Sequence, residues 1–134
     1  MKIIAINVLI ISILLNFSAL IAYSEIHPAI NTYDKYLEAI NNAEKLDDLN
    51  PYISKRKIET YGAMTEDKKK STLSFKKSIA KFTQRKGIKA DTVGGNATLT
   101  VDIIDTSSNN PGAVIVNLVK EGGEWKVDKE KYKF

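Results

Sequence analysis

The sequence predicts an α+β fold, with helical segments first and a meander of about four antiparallel strands after them. Three observations lead there. From Ile26 to the mid-eighties, apolar residues recur every three or four positions, the period of helices with one buried face. After Gly87 they alternate instead, as strands do. Gly94-Gly95 and Gly122-Gly123 fall between alternating runs, where hairpins turn.

The first helix takes its stripe from Ile26, Ile30, Tyr33, Leu37 and Ile40, with Pro28 in the first turn, where its missing N–H does no harm. Asn41 and Asn42 loosen its end. Leu46, Leu49, Tyr52 and Ile53 form a short second amphipathic segment, with Pro51 in its first turn or at its boundary. A third helix is expected from about Thr65 to Lys86, capped by Thr65, with Glu66 and Asp67 in the first turn. Its apolar face holds Phe75, Ile79 and Phe82, while Lys76, Lys77, Lys81 and Arg85 lie mostly elsewhere. The first strand is expected over 88–93. Ala97, Leu99, Val101 and Ile103 then put one face of the next strand toward the core, and Thr98, Thr100 and Asp102 put the other toward water. Residues 105–112 are a loop by composition. The run 113–119 is apolar on both faces, which suits a central strand, and the hairpin after it leads into a last strand bearing Trp125 and Val127.

Composition narrows the chemistry. The chain has no cysteine, so disulfides, thiolate metal sites and a cysteine nucleophile are excluded, and its one histidine, His27, leaves little metal chemistry. With 43% hydrophobic and 27% charged residues it falls in the globular range. Glycine-rich phosphate loops, H-E-x-x-H and G-x-S-x-G are absent. No cofactor and no metal are expected.

Residues 1–24 carry Lys2, an apolar run from Ile3 to Leu15, and Ala22 and Ser24 at the spacing of a signal-peptidase site. The expectation is a signal peptide cleaved after Ser24, with residues 25–134 as one exported domain, periplasmic or secreted. The alternative is a membrane anchor retained over residues 3–22, since about 20 apolar residues suffice to span a bilayer.

Two stretches carry a resemblance. "YLEAINNAEKLDDLNPYIS", Tyr36 to Ser54, is similar to a helix, short helix and Y-[IL]-S end, and "VNLVKEGGEWKVDKEKY", Val116 to Tyr132, to a closing hairpin with a Trp-Lys-Val strand. Both features belong to the nuclear transport factor two-like, cystatin-like superfamily, and in particular to its small exported bacterial members of unknown function. The resemblance implies a curved sheet wrapped around the first helix as a cone, with an apolar pocket at its open end. It assigns no chemistry, because the superfamily hosts isomerases, dehydratases, transport adaptors and domains that only bind.

The candidate ligand-binding residues are Tyr33, Tyr52 and Trp125. Trp125 stacks a ligand or fills the core; the hydroxyl of Tyr33 enters a pocket or its ring packs beneath one. The expected function is a non-enzymatic binding or accessory domain for a small apolar ligand or an envelope protein. The alternative is a small isomerase- or hydrolase-like enzyme in the same cone, with a tyrosine hydroxyl from Tyr33, Tyr36 or Tyr52 and a carboxylate from Asp102 or Asp128. The lysines at 55–57 and 68–70, with Lys76, Lys77, Lys81 and Arg85, are solvated helix faces or meet an anionic surface. Stacking platforms for nucleic acid are not evident, and no nucleic-acid partner is expected.

Overall fold

The computed structural model describes residues 27–134. The leader, its cleavage after Ser24, the alternative anchor and Ile26 of the helical stripe all lie outside the described residues. Among the described residues no helix is long and apolar enough to cross a membrane.

Among the described residues three α-helices and one 3₁₀ segment precede the sheet. Helix α1, Pro28–Asn42, is capped by His27, whose Nδ1 accepts a hydrogen bond from the Ala29 amide at 3.1 Å. Its buried face is Ala29, Tyr33, Tyr36 and Ile40, while Ile30 and Leu37 sit half-buried at the flanks. The 3₁₀ segment Leu46–Tyr52 buries Leu46 and Leu49, and the Asp48 carboxylate closes its start by accepting from the amides of Glu44 and Lys45. Pro51 lies in its last turn, not its first.

Helix α2, Lys55–Gly62, is absent from the sequence-based expectation, which has three helical segments where the described residues have four. "KRKIETYG" offers only Ile58 and Tyr61 as apolar positions, too few to reveal a period. It forms because Ser54 caps it, accepting from the Lys57 amide at 3.1 Å.

Helix α3, Glu66–Phe82, begins as expected, with Thr65 accepting from the Lys68 amide. Two corrections follow. The helix ends at Phe82 rather than Lys86, because Thr83 and the residues after it pair with the next strand, Thr83 opposite Asp105 and Arg85 opposite Ile103. The buried face is also different: Leu73 and Lys76 point inward, while Phe75 and Phe82 are 52% and 50% exposed. A lysine faces inward here because a buried carboxylate awaits it.

The sheet is a four-stranded antiparallel meander, β1 Thr83–Val93, β2 Asn96–Asp105, β3 Pro111–Glu121 and β4 Glu124–Lys133, in that spatial order. The fold is thus α+β, with N-terminal helices packed on one face of the sheet. Ala97, Leu99, Val101 and Ile103 are all buried on that face, with Leu99 opposite Val116 and Val101 opposite Val114. The β3–β4 hairpin turns at Gly122 and Gly123, both at positive φ (58° and 81°), the conformation a tight two-residue turn demands.

Two bulges interrupt the pairing. One lies between Arg85 and Gly87. The other lies on β4, where Val127 pairs with Leu118 and Lys129 with Asn117, leaving Asp128 as the extra residue. The free edge of β4 is covered at Val127, which makes a parallel bridge to Ile53 and accepts from the Ser54 amide at 2.9 Å.

Candidate functional site

The β4 bulge decides which side chains enter the core. Before it Trp125 and Val127 point toward the helices; one extra residue reverses the parity, so Glu130 and Tyr132 point there and Lys129 and Lys131 point out. Glu130 consequently has a side chain only 3% exposed.

The buried carboxylate gathers donors from α1, α3 and β4. Its Oε1 accepts from the Tyr36 hydroxyl at 2.5 Å and from Lys76 Nζ at 2.8 Å, and its Oε2 accepts from the Tyr132 hydroxyl at 2.9 Å. Lys76 Nζ also donates to the Tyr36 oxygen at 2.9 Å. Lys57 Nζ stands 3.9 Å from Oε1 and 5.5 Å above the Tyr61 ring. Tyr33 stacks on Tyr36, ring centroids 6.1 Å apart, and half-exposed Phe75 meets Tyr132 edge-on.

These contacts set the protonation states. Burial by itself raises the Glu130 carboxyl, but Lys76, the Tyr36 hydroxyl and Lys57 outweigh it and hold it below its ordinary value. Burial opposes the Lys76 charge, yet Glu130 keeps its ammonium above the ordinary value. Tyr33, Tyr36 and Tyr132 are all pushed up by burial and by the nearby carboxylate, so their hydroxyls stay neutral. Glu130 is therefore an ionised acceptor already supplied with donors, which makes it a structural anchor and a poor general base.

Two concavities take the candidate residues. The first, about 170 Å³, lies between α1, α3 and the sheet; Leu37, Ile79, Val101, Ile103 and Val114 line it, with Tyr33, Tyr132 and Lys76 at its polar end. An Arg85–Asp34 ion pair, 2.7 Å, borders it. The second is an open groove of about 350 Å³ that brings Tyr52 and Trp125 together with Pro28 and Pro51. Trp125 is half-buried there, with Lys120 Nζ 5.3 Å from its ring centroid. The three candidate residues thus divide, Tyr33 in the cleft and Tyr52 with Trp125 in the groove.

The carboxylates considered for an enzyme fall elsewhere. Asp102 is exposed on the outer side of the sheet, and Asp128 accepts from Ser54 Oγ at 2.6 Å and Arg56 Nε at 2.9 Å. Sequence reasoning missed Glu130 because plain alternation from Val127 puts it on the solvent side; the bulge leaves no composition signal. Lys76 left a trace, spaced three residues from both Leu73 and Ile79. Among the described residues no three His, Cys, Asp or Glu side chains are grouped to hold a metal.

Comparison of the chain with family models, with curated proteins and with solved structures finds no match in any of the three.

Proposed function

We propose that this is an exported, non-enzymatic binding module of the nuclear transport factor two-like kind, holding a small apolar group in the cleft between α1, α3 and the sheet. The observation that carries the reading is the composition of that cleft. Its walls are mainly aliphatic, and two of the polar groups at its end, Lys76 and Tyr132, are already committed to Glu130. The side chains that line it include no carboxylate or imidazole to act as a base, whereas an apolar cavity of about 150 Å³ is enough to take up benzene. The ligand is accordingly a single ring or the end of an alkyl chain. Export rests on the leader features of residues 1–24, and N-terminal sequencing of protein from the native host should find Glu25 first.

The test is thermal stabilisation of the purified protein by benzene, indole and short-chain fatty acids. A ligand at one hundred times its Kd raises stability by about 2.7 kcal/mol. Leu37→Trp places an indole across the cleft and should abolish the effect while the protein remains folded. Stabilisation that survives Leu37→Trp, or none with any probe, overturns the reading.

One observation favours an enzyme instead: two tyrosine hydroxyls converge on a carboxylate beside an apolar cleft. In that case, turnover of a bound carbonyl compound should fall about 10²- to 10³-fold in Tyr132→Phe. Binding without conversion retains the module.

A further inference from the structure

The Glu130 cluster contains two lysines and one carboxylate, and the second lysine is poorly matched. Lys76 has its partners. The Lys57 side chain is only 12% exposed, its closest carboxylate oxygen is 3.9 Å away, and that oxygen already accepts from Tyr36 and Lys76. Among the described residues its Nζ makes no hydrogen bond. An ammonium largely shielded from water and without a close acceptor is under-solvated, and burial lowers the Lys57 amine from its ordinary value despite Glu130.

Lys57 opens onto a cleft of about 400 Å³ between α2 and β4 that also involves Arg56, Thr60, Tyr61, Lys129 and Lys131. The lining cations Arg56, Lys57, Lys129 and Lys131, with Lys76 behind them, outnumber the carboxylates of Asp128 and Glu130. Asp128 is occupied by Ser54 and Arg56. The start of α2 is not the donor set, since the Glu121 carboxylate already accepts from the Lys55 amide at 3.0 Å.

We propose that the cleft between α2 and β4 binds a phosphate-type oxyanion, carried by a small ester or by a lipid headgroup, with Lys57 as the inner cation and Lys129 and Lys131 at the mouth. The surplus of positive charge suits a group bearing more than one negative charge. A planar carboxylate fits less well, because the Nε and Nη2 of Arg56 are spent on Asp128 and the remaining donors are point-like ammonium groups. This site is separate from the apolar cleft and stands without it.

Two arms distinguish the sources. Inorganic phosphate and glycerol phosphate are titrated into the purified full chain and followed by NMR shifts; sedimentation with phosphatidylglycerol or phosphatidylcholine vesicles tests the headgroup. The expected result is saturable binding in at least one arm, centred on Lys57, Tyr61 and Lys131, at least tenfold weaker in Lys57→Met and about threefold weaker in Lys131→Gln. Saturation only in solution assigns a soluble ester, and binding only to the anionic vesicles assigns a lipid. Lys57→Met removes a poorly matched buried charge and should fold; if it does not, exposed Lys131→Gln decides alone. No binding in either arm overturns the site, as does binding unchanged by these substitutions or spread without saturation over Lys68–Lys70.

Discussion

At the scale of single residues, Glu130 has the largest consequence. Replacing it with Gln leaves Lys76 and Lys57 facing each other without a counter-charge, and breaking a buried pair from one side typically costs about 3–5 kcal/mol. Lys76→Met should cost a similar amount. The double variant Glu130→Gln/Lys76→Met should lose less than the sum, because the pair is then removed whole and only Lys57 still lacks its counter-charge. Urea unfolding of the four proteins of the cycle measures the coupling, and simple additivity would show that the pair contributes nothing.

The same residues fix the pH limits. The Glu130 carboxyl is held below its ordinary 4.5, so its stabilisation is complete above that value and is lost as pH falls through the folded-state value. Lys76 acts at the other end: its raised value gives stability that is present below 10.5 and lost as pH rises through the folded-state value. Tyr33, Tyr36, Tyr61 and Tyr132 keep their protons in the fold and give them up above 10.0 when unfolded, which also weakens the fold in alkali. Lys57 runs the other way, its lowered value relieving a penalty as pH approaches 10.5. Urea midpoints should therefore fall on both sides of a neutral plateau, and Glu130→Gln should flatten the acid side.

At the scale of elements, the sheet register is open to a direct test. Val101 is 2% exposed and Thr100 lies on the opposite face, so Val101→Asp should cost several kcal/mol, the order of an unpaired buried charge, and Thr100→Asp little. Thermal melts of the two variants decide it; the reverse order would place the wrong face inward. This register was legible because Leu99, Val101 and Ile103 alternate without a break. Helix α3 was legible at its start, where Thr65 caps it, and illegible on its face. Phe75 and Phe82 carry more apolar surface than Lys76, yet Lys76 goes inward because Glu130, 54 residues later, supplies its partner. Propensity and period report on neighbours along the chain. They are silent on a charge pair closed across the fold, and on the Asp128 bulge that turns Glu130 inward.

At the scale of the whole molecule, the first helix and the last strand depend on each other. The Tyr36 hydroxyl reaches Glu130 across 94 residues, and Val127 and Tyr132 lie against the same core as Tyr33 and Ile40. The helical half, residues 27–82, should accordingly be largely unstructured alone, since short isolated helices are marginal in water. Circular dichroism of that fragment should show little helix; a cooperative helical melt would contradict the dependence. The candidate clefts share it too, because each is walled by helices on one side and sheet on the other. The apolar one lies where the apolar stripes of α1 and the sheet meet, and the basic one follows only from the position of Lys57.

The place of Glu130, on a strand made after every helix that supplies its lysines, also sets an order of dependence. A chain cut before Glu130 retains Lys57 and Lys76 and lacks the carboxylate that both approach. Such a product has every helix-forming segment and no neutral core to fold around, so it stays open to proteases. Protection of the lysines of the core therefore waits for β4 to dock.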